Sequence, residues 1–325
     1  ASGTPVADEG SYTLQATAVD EGGNSATLAA SFVIDRTAPT FVIVLPPDNA
    51  LMAAPEIALS GEVGGAQSVT VDGLACTLTV EAFACPSCSL TDGERIFTLL
   101  ARDAAGNEAP RQHRIRRDGT GPEVVIATPV AGAYLASANV AVNGTAVDPH
   151  LAEVRVNGVL ADLAGDAWSA GPISLAEGAA TIEVIARDTV DNGTVVSRSV
   201  TIDTVAPEVE LLESGTPLGD GALFNRTVTP VIEVADASPW TLVATLDGAA
   251  YLSGTPIAGE GLHVLQATAT DSAGNPGTRQ VSFRVDGSPP ALVAISPVDG
   301  FVTAEAEVHL QGQILGAESL TIDGV

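Results

Sequence analysis

The sequence contains no lysine, and its 13 basic residues, all arginine, stand against 40 acidic ones, for a net charge of −27. A surface this acidic repels phosphate backbones and anionic lipid headgroups, which excludes nucleic-acid binding, and it attracts cations. Aromatic residues are scarce, at 4% of the chain, which excludes one large core built on rings. The hydrophobic 46% is mostly Val, Ala, Leu and Ile, which suits several thin β cores. Cysteine is limited to three residues. No apolar run approaches the ~18 residues needed to cross a bilayer, so no membrane insertion is expected in this segment. The opening "ASGTPVADEG" is not a signal peptide. A length of 325 residues accommodates about three small domains.

What is present is a repeat. Asp20, Asp103, Asp188 and Asp271 are each followed four residues later by Asn, in "DEGGN", "DAAGN", "DTVDN" and "DSAGN", with steps of 83, 85 and 83. Asp35, Asp118, Asp203 and Asp286 open "DRTAP", "DGTGP", "DTVAP" and "DGSPP" with the same steps, as do Gly10, Gly93, Gly178 and Gly261. An apolar face keeps pace: Leu14/Ala16/Ala18, Phe97/Leu99/Ala101, Ile182/Val184/Ala186 and Leu265/Ala267/Ala269. The chain is expected to open inside one repeat (1–35), to hold complete repeats at 36–118, 119–203 and 204–286, and to stop inside a further copy (287–325). In that last copy "LTIDGV" at 320–325 matches "VTVDGL" at 69–74 and "VRVNGV" at 154–159.

Hydrophobicity alternates with period two, as in "TIEVIARD" and "VVSRSVTID", and Asp-Gly or Asn-Gly pairs interrupt it at short intervals. The expected class is all-β: a head-to-tail array of immunoglobulin-like sandwiches of about seven strands each. The combination "AxDxxGN", fifteen residues from Asp to Asp, then "DxTAPxV" resembles the tandem bacterial immunoglobulin-like domains of large surface adhesins and other secreted proteins. The stretch "NGTAVDPHLAEVRVNG" (143–158) also resembles a module found beside secreted carbohydrate enzymes.

The fixed interval fits a hairpin pinned in register, in which one inserted residue would turn the buried face outward. On this reading Asp and Asn serve only as turn residues. A second reading uses the stacking of sandwiches. The F–G loop of one repeat then faces the linker before it, setting Asp103 and Asn107 beside Asp35, Asp188 and Asn192 beside Asp118, and Asp271 and Asn275 beside Asp203. Asp148 and Asp236 could join from the B–C loops, whereas the first full repeat offers only Glu62. Carboxylate and amide oxygens suit calcium, which takes six to eight oxygens, and resemblance to calcium-rigidified adhesin stalks implies Ca2+ at these junctions.

Cys76, Cys85 and Cys88 all lie in the first full repeat, and Ala161 and Ala170 stand at the matching positions of Cys76 and Cys85 one repeat on. A Cys76–Cys85 disulfide is favoured, with Cys88 the alternative partner, and fits an oxidising, exported setting. A zinc site would need His113 as fourth ligand. The four histidines recur at no common register and read as surface or loop residues. Trp168, aligned with Phe83, reads as a core anchor, and Trp240 as a residue near one end of its sandwich that could stack on a sugar ring.

No nucleophile-elbow motif or paired metal-ligand spacing is present, so catalysis is not expected. The expected role is a stalk or spacer in an extracellular or cell-surface protein. An unknown receptor or glycan would be met by regions outside this segment, and lateral self-association is possible. Alternatives are a glycan- or protein-binding module and an accessory region of a secreted hydrolase.

Overall fold

The computed structural model describes Gly3 and residues 5–321; residues 322–325, which end the "LTIDGV" match, lie outside the described residues. All regular elements among the described residues are β-strands. Contacts group the chain into two compact units, Ala1–Pro129 with Ala141–Gly171 and Ile182–Ser197, and Val130–Val140 with Pro172–Thr181 and Arg198–Val325.

In the first unit the repeat 36–118 forms two main sheets. One orders Thr40–Leu45, Ser60–Gly64, Ala82–Ala84 and Thr77–Leu78; the other orders Ala50–Met52, Glu108–Arg117, Gly93–Arg102, Ser68–Val71 and Leu74–Ala75. Ala50–Met52 runs parallel to Glu108–Arg117, and the remaining pairs of these two sheets are antiparallel. Alternation along Gly93–Arg102 sends Phe97, Leu99 and Ala101 inward, all fully buried against Leu59, Val71 and Ile115. The same unit pairs Glu123–Thr128 with residues 143–147, and Leu151–Val156 with residues 184–188. In the second unit, Glu208–Glu213 pairs with Val231–Ala235, and Gly261–Asp271 pairs with both Trp240–Leu246 and Pro276–Val285, over a core holding Leu211, Leu265, Ala267 and Phe283.

The hairpin register follows the Asp–Asp interval. Gly93 pairs with Arg117 and Arg102 with Glu108 without a slip, leaving 103–107 as the turn. The fourth residue of that turn has positive φ: 91° at Gly106, 96° at Gly274 and 71° at Asp191, where the glycine is replaced.

One expectation changes. His113 is not a surface residue: it lies two positions from Ile115 on the inward face of its strand, is 3% exposed, and donates from Nε2 to the Pro46 carbonyl at 2.9 Å. The Leu14/Ala16/Ala18 face belongs to a hairpin, Gly10–Val19 with Ser25–Ile34, that pairs only with itself among the described residues, so Leu14 is exposed. Trp168 is buried, as the core-anchor reading expects. A disulfide joins Cys76 and Cys85, and Cys88 is a free, buried thiol that burial pushes upward in pKa.

Candidate cation sites at the linkers

The linkers at Asp35, Asp118 and Asp203 are each held by the Asp–Asn turn of the repeat that follows. The first Asp of the turn accepts the Asn backbone N–H at 2.8 Å in all three full repeats. Its other carboxylate oxygen accepts the Asn side-chain amide, at 2.8 Å from Asn107 to Asp103, 2.6 Å from Asn192 to Asp188 and 2.7 Å from Asn275 to Asp271. That same amide nitrogen donates to the main-chain carbonyl of the linker aspartate: Asn107 to Asp35 at 3.0 Å, Asn192 to Asp118 at 2.9 Å and Asn275 to Asp203 at 2.8 Å. Asp103, Asp188 and Asp271 are all buried. Hydrogen bonds from Asn107 hold the Asp103 carboxyl below its ordinary pKa. Burial raises the Asp271 carboxyl, but hydrogen bonds from Asn275, Gly274 and Ala273 outweigh it and the net shift is downward.

A second grip comes from the repeat that precedes the linker. Glu9 accepts the Arg36 N–H at 2.6 Å, Asp92 the Gly119 N–H at 2.8 Å, and Glu177 the Thr204 N–H at 3.0 Å. Glu260 accepts the Ser288 hydroxyl at 2.7 Å. Sequence reasoning missed these acids, although they sit one residue before each ladder glycine and keep the same steps of 83, 85 and 83.

The three linker aspartates then differ. At the second linker, Asp118, Asp148 and His150 bring ligand atoms within 4.8 Å of one another, and His150 Nδ1 donates to Asp118 Oδ2 at 2.7 Å. Burial raises the Asp118 carboxyl, and hydrogen bonds from His150 and Thr120 bring it below its ordinary value. At the third linker the group is Asp203, Asp236 and Asp271, again within 4.8 Å. Asp203 is 5% exposed, and its Oδ2 has no hydrogen-bond partner among the described residues. Asp35 is exposed and belongs to no such group among the described residues. A zinc site at the cysteines would draw on all three thiolates, and two of those sulfurs are joined in the Cys76–Cys85 disulfide.

Residues 122–204 match the family model described as Glucodextranase, domain B, and residues 172–258 match Bacterial Ig-like domain (group 3). No curated protein matches the chain. Among solved structures, titin domains I67–I69 align at 12% identity over 77% of this chain and 99% of theirs, with a TM-score of 0.48. A tetra-tandem repeat from the extending region of a large adhesion protein aligns at 21% identity over 86% of this chain and 82% of its own, with a TM-score of 0.36. Fibronectin(III)-like modules of Clostridium thermocellum CbhA align at 20% identity over 50% and 94%, with a TM-score of 0.31. None of these three likenesses reaches a TM-score of 0.5. No helix among the described residues is long and apolar enough to cross a membrane. The chain carries immunoglobulin-like sandwiches in tandem, and residues 172–258, which run from the end of one repeat into the next, match the bacterial Ig-like family.

Proposed function

We propose that the chain is a non-catalytic extracellular spacer in a bacterial surface or secreted adhesive protein, with its linkers stiffened by calcium. The observation that carries this reading is the double grip on each linker. Its aspartate carbonyl is held by the Asn of the following repeat and the next residue by an acid of the preceding one, at linkers 35–39, 118–122 and 203–207. A linker fixed on both sides limits bending, so reach grows with the number of repeats. Recognition of a receptor or glycan would then fall to regions outside this segment, and lateral association between copies would be a secondary property. Calcium would add to the stiffening by offsetting the repulsion between carboxylates that the linkers bring together.

Solution scattering on the full chain tests this reading. The expected result is a maximum dimension that grows in millimolar calcium and shrinks on chelation, with a broader distance distribution when Asn107, Asn192 and Asn275 are all replaced by Ala. A distribution unchanged by chelation would count against the calcium component, and one unchanged by the triple replacement would remove the spacer reading.

A second reading, an accessory region of a secreted hydrolase, is favoured by the match of residues 122–204 to Glucodextranase, domain B. Binding of soluble polysaccharide by the isolated chain, lost in Trp240→Ala, would favour it over the spacer, because Trp240 is 42% exposed.

A further inference from the structure

Asp118 and Asp203 occupy equivalent places, 85 residues apart. Each main-chain carbonyl accepts the following repeat's Asn amide, and each Oδ1 accepts the N–H two residues on, from Thr120 and Val205 respectively, at 3.3 Å. Each also faces a loop in which an Asp accepts the N–H two residues later: His150 to Asp148 at 2.6 Å and Ser238 to Asp236 at 2.7 Å. His150 and Ser238 are therefore structural counterparts, and they act differently. The His150 ring reaches the linker and donates to Asp118 Oδ2. The shorter Ser238 side chain turns back on its own loop and donates to Asp236 Oδ1 at 2.9 Å. Asp203 Oδ2 is thus left buried and unpartnered beside two further carboxylates. A buried anionic oxygen without a donor is costly, and two more carboxylates nearby raise that cost unless a cation joins them.

We propose that one hard divalent cation, with calcium as its probe, binds at Asp203, Asp236 and Asp271, and that His150 takes the cation's place at the preceding linker. This rests on the reading of the linkers as calcium-responsive joints and narrows it to one joint of three. The donor set is all carboxylate oxygen, which favours calcium over zinc, whose sites draw on His and Cys. Each of the three carboxylates brings one oxygen to the group, and water would complete the six to eight oxygens that calcium takes. The Asp118 linker has two acids and an imidazole already bound to the linker carboxylate. The Asp35 linker lacks a grouped third acid among the described residues.

Calorimetric titration of the full chain with calcium chloride tests the assignment. The expected stoichiometry is one ion per chain. Asp236→Asn should weaken binding at least tenfold, and Asp148→Asn should leave it unchanged. His150→Ser, which installs the third linker's residue at the second, should raise the stoichiometry to two. Zero or three ions per chain, or equal losses in Asp236→Asn and Asp148→Asn, would overturn the site. A stoichiometry of one in a folded His150→Ser chain would overturn the role given to His150. Binding and stiffening separate cleanly: one bound ion with no change in scattering dimensions sinks calcium stiffening and leaves the site, whereas absent binding sinks the site and leaves the linker grips as the basis of the spacer.

Discussion

The side-chain amide of Asn107 donates to the main-chain carbonyl of Asp35, 72 residues earlier, at 3.0 Å, while the same nitrogen donates to Asp103 Oδ2 at 2.8 Å. One side chain therefore ties the turn it belongs to and the linker before it. Asn107→Ala removes both bonds. The neutral bond to the linker carbonyl is worth about 1 kcal/mol, enough to lower a small domain's melting midpoint by roughly 4–8 °C. Asn107→Asp should cost more, because a carboxylate would then face Asp103. Differential scanning calorimetry checks the order native, Ala, Asp; an Asp variant as stable as the native chain contradicts it.

The acids that grip the linkers from the other side predict a separable effect. Glu177 accepts the Thr204 N–H through Oε1 and the Thr204 hydroxyl through Oε2, both at 3.0 Å. Glu177→Ala should raise amide exchange at Thr204 severalfold and leave the exchange of core strand residues such as Val184 unchanged. Hydrogen exchange read by mass spectrometry distinguishes this local release from global destabilisation, in which Val184 would follow.

These grips show what the sequence could and could not disclose. The Asp–Asp interval was readable because an insertion in a paired hairpin reverses its faces, and the observed register from Gly93↔Arg117 to Arg102↔Glu108 has that property. Glu9, Asp92, Glu177 and Glu260 were equally periodic, yet an acid beside a turn glycine carries no sign of its partner until the chain closes on it. His150 was not readable as a linker ligand, because it occurs in one repeat only and its contact with Asp118 depends on a loop conformation. The absence of a common register among the histidines says nothing of the burial of any one of them; alternation with Ile115 turns His113 inward, where the Pro46 carbonyl satisfies it.

A pH effect is expected from the third full repeat. His263 donates from Nδ1 to Asp247 Oδ2 and from Nε2 to the Gly259 carbonyl, both at 2.8 Å, so only the doubly protonated ring satisfies both acceptors. Burial lowers the His263 pKa, and the bonds to Asp247 and Gly259 outweigh it, so the folded value is raised. Bonds from His263 and the Val264 N–H lower that of Asp247. The histidine's contribution is complete below its unfolded pKa of about 6.5 and is lost as pH rises through the higher folded value. The carboxylate's contribution is present above about 3.9 and is lost as pH falls through its lowered folded value. The pair therefore contributes most between about pH 4 and 6.5. The urea midpoint should fall between pH 6 and 8 in the native chain and fall less in His263→Gln. Parallel curves for the two proteins would remove His263 as the cause.

The Cys76–Cys85 bridge closes a short loop within the first full repeat. A closed loop of this size stabilises by about 2–3 kcal/mol in the chain-entropy description. Replacing both cysteines by Ala, the residue found at both matching positions of the next repeat, should lower the stability of this repeat by that amount and leave the repeat 204–286 unaffected. Urea unfolding followed by exchange in each repeat checks this. Equal losses in both repeats would show coupling across the linkers that the bridge alone does not explain.

Trp168 is 2% exposed, and its Nε1–H has no partner among the described residues. Beneath the ring lies Gly144, where an added Cβ would run into both the Val125 carbonyl and the indole; Gly61 stands in the same relation to Val42 and Phe83. Each glycine thus makes room for a ring at the centre of its sheet. Trp168→Phe restores the side chain of the matching position and removes a buried, unsatisfied donor that costs about 1–3 kcal/mol. It also gives up part of the indole's packing, so the two changes should nearly cancel, whereas Trp168→Ala should cost about 3–5 kcal/mol. Gly144→Ala should destabilise by at least 1–3 kcal/mol, roughly the cost of overpacking, because a backbone carbonyl cannot move aside as a side chain tip can. Combining Gly144→Ala with Trp168→Phe should recover part of that loss and no more, since the Val125 carbonyl stays in place. Full recovery in the double variant would mean that the ring alone, and not the neighbouring strand, forbids a side chain at residue 144.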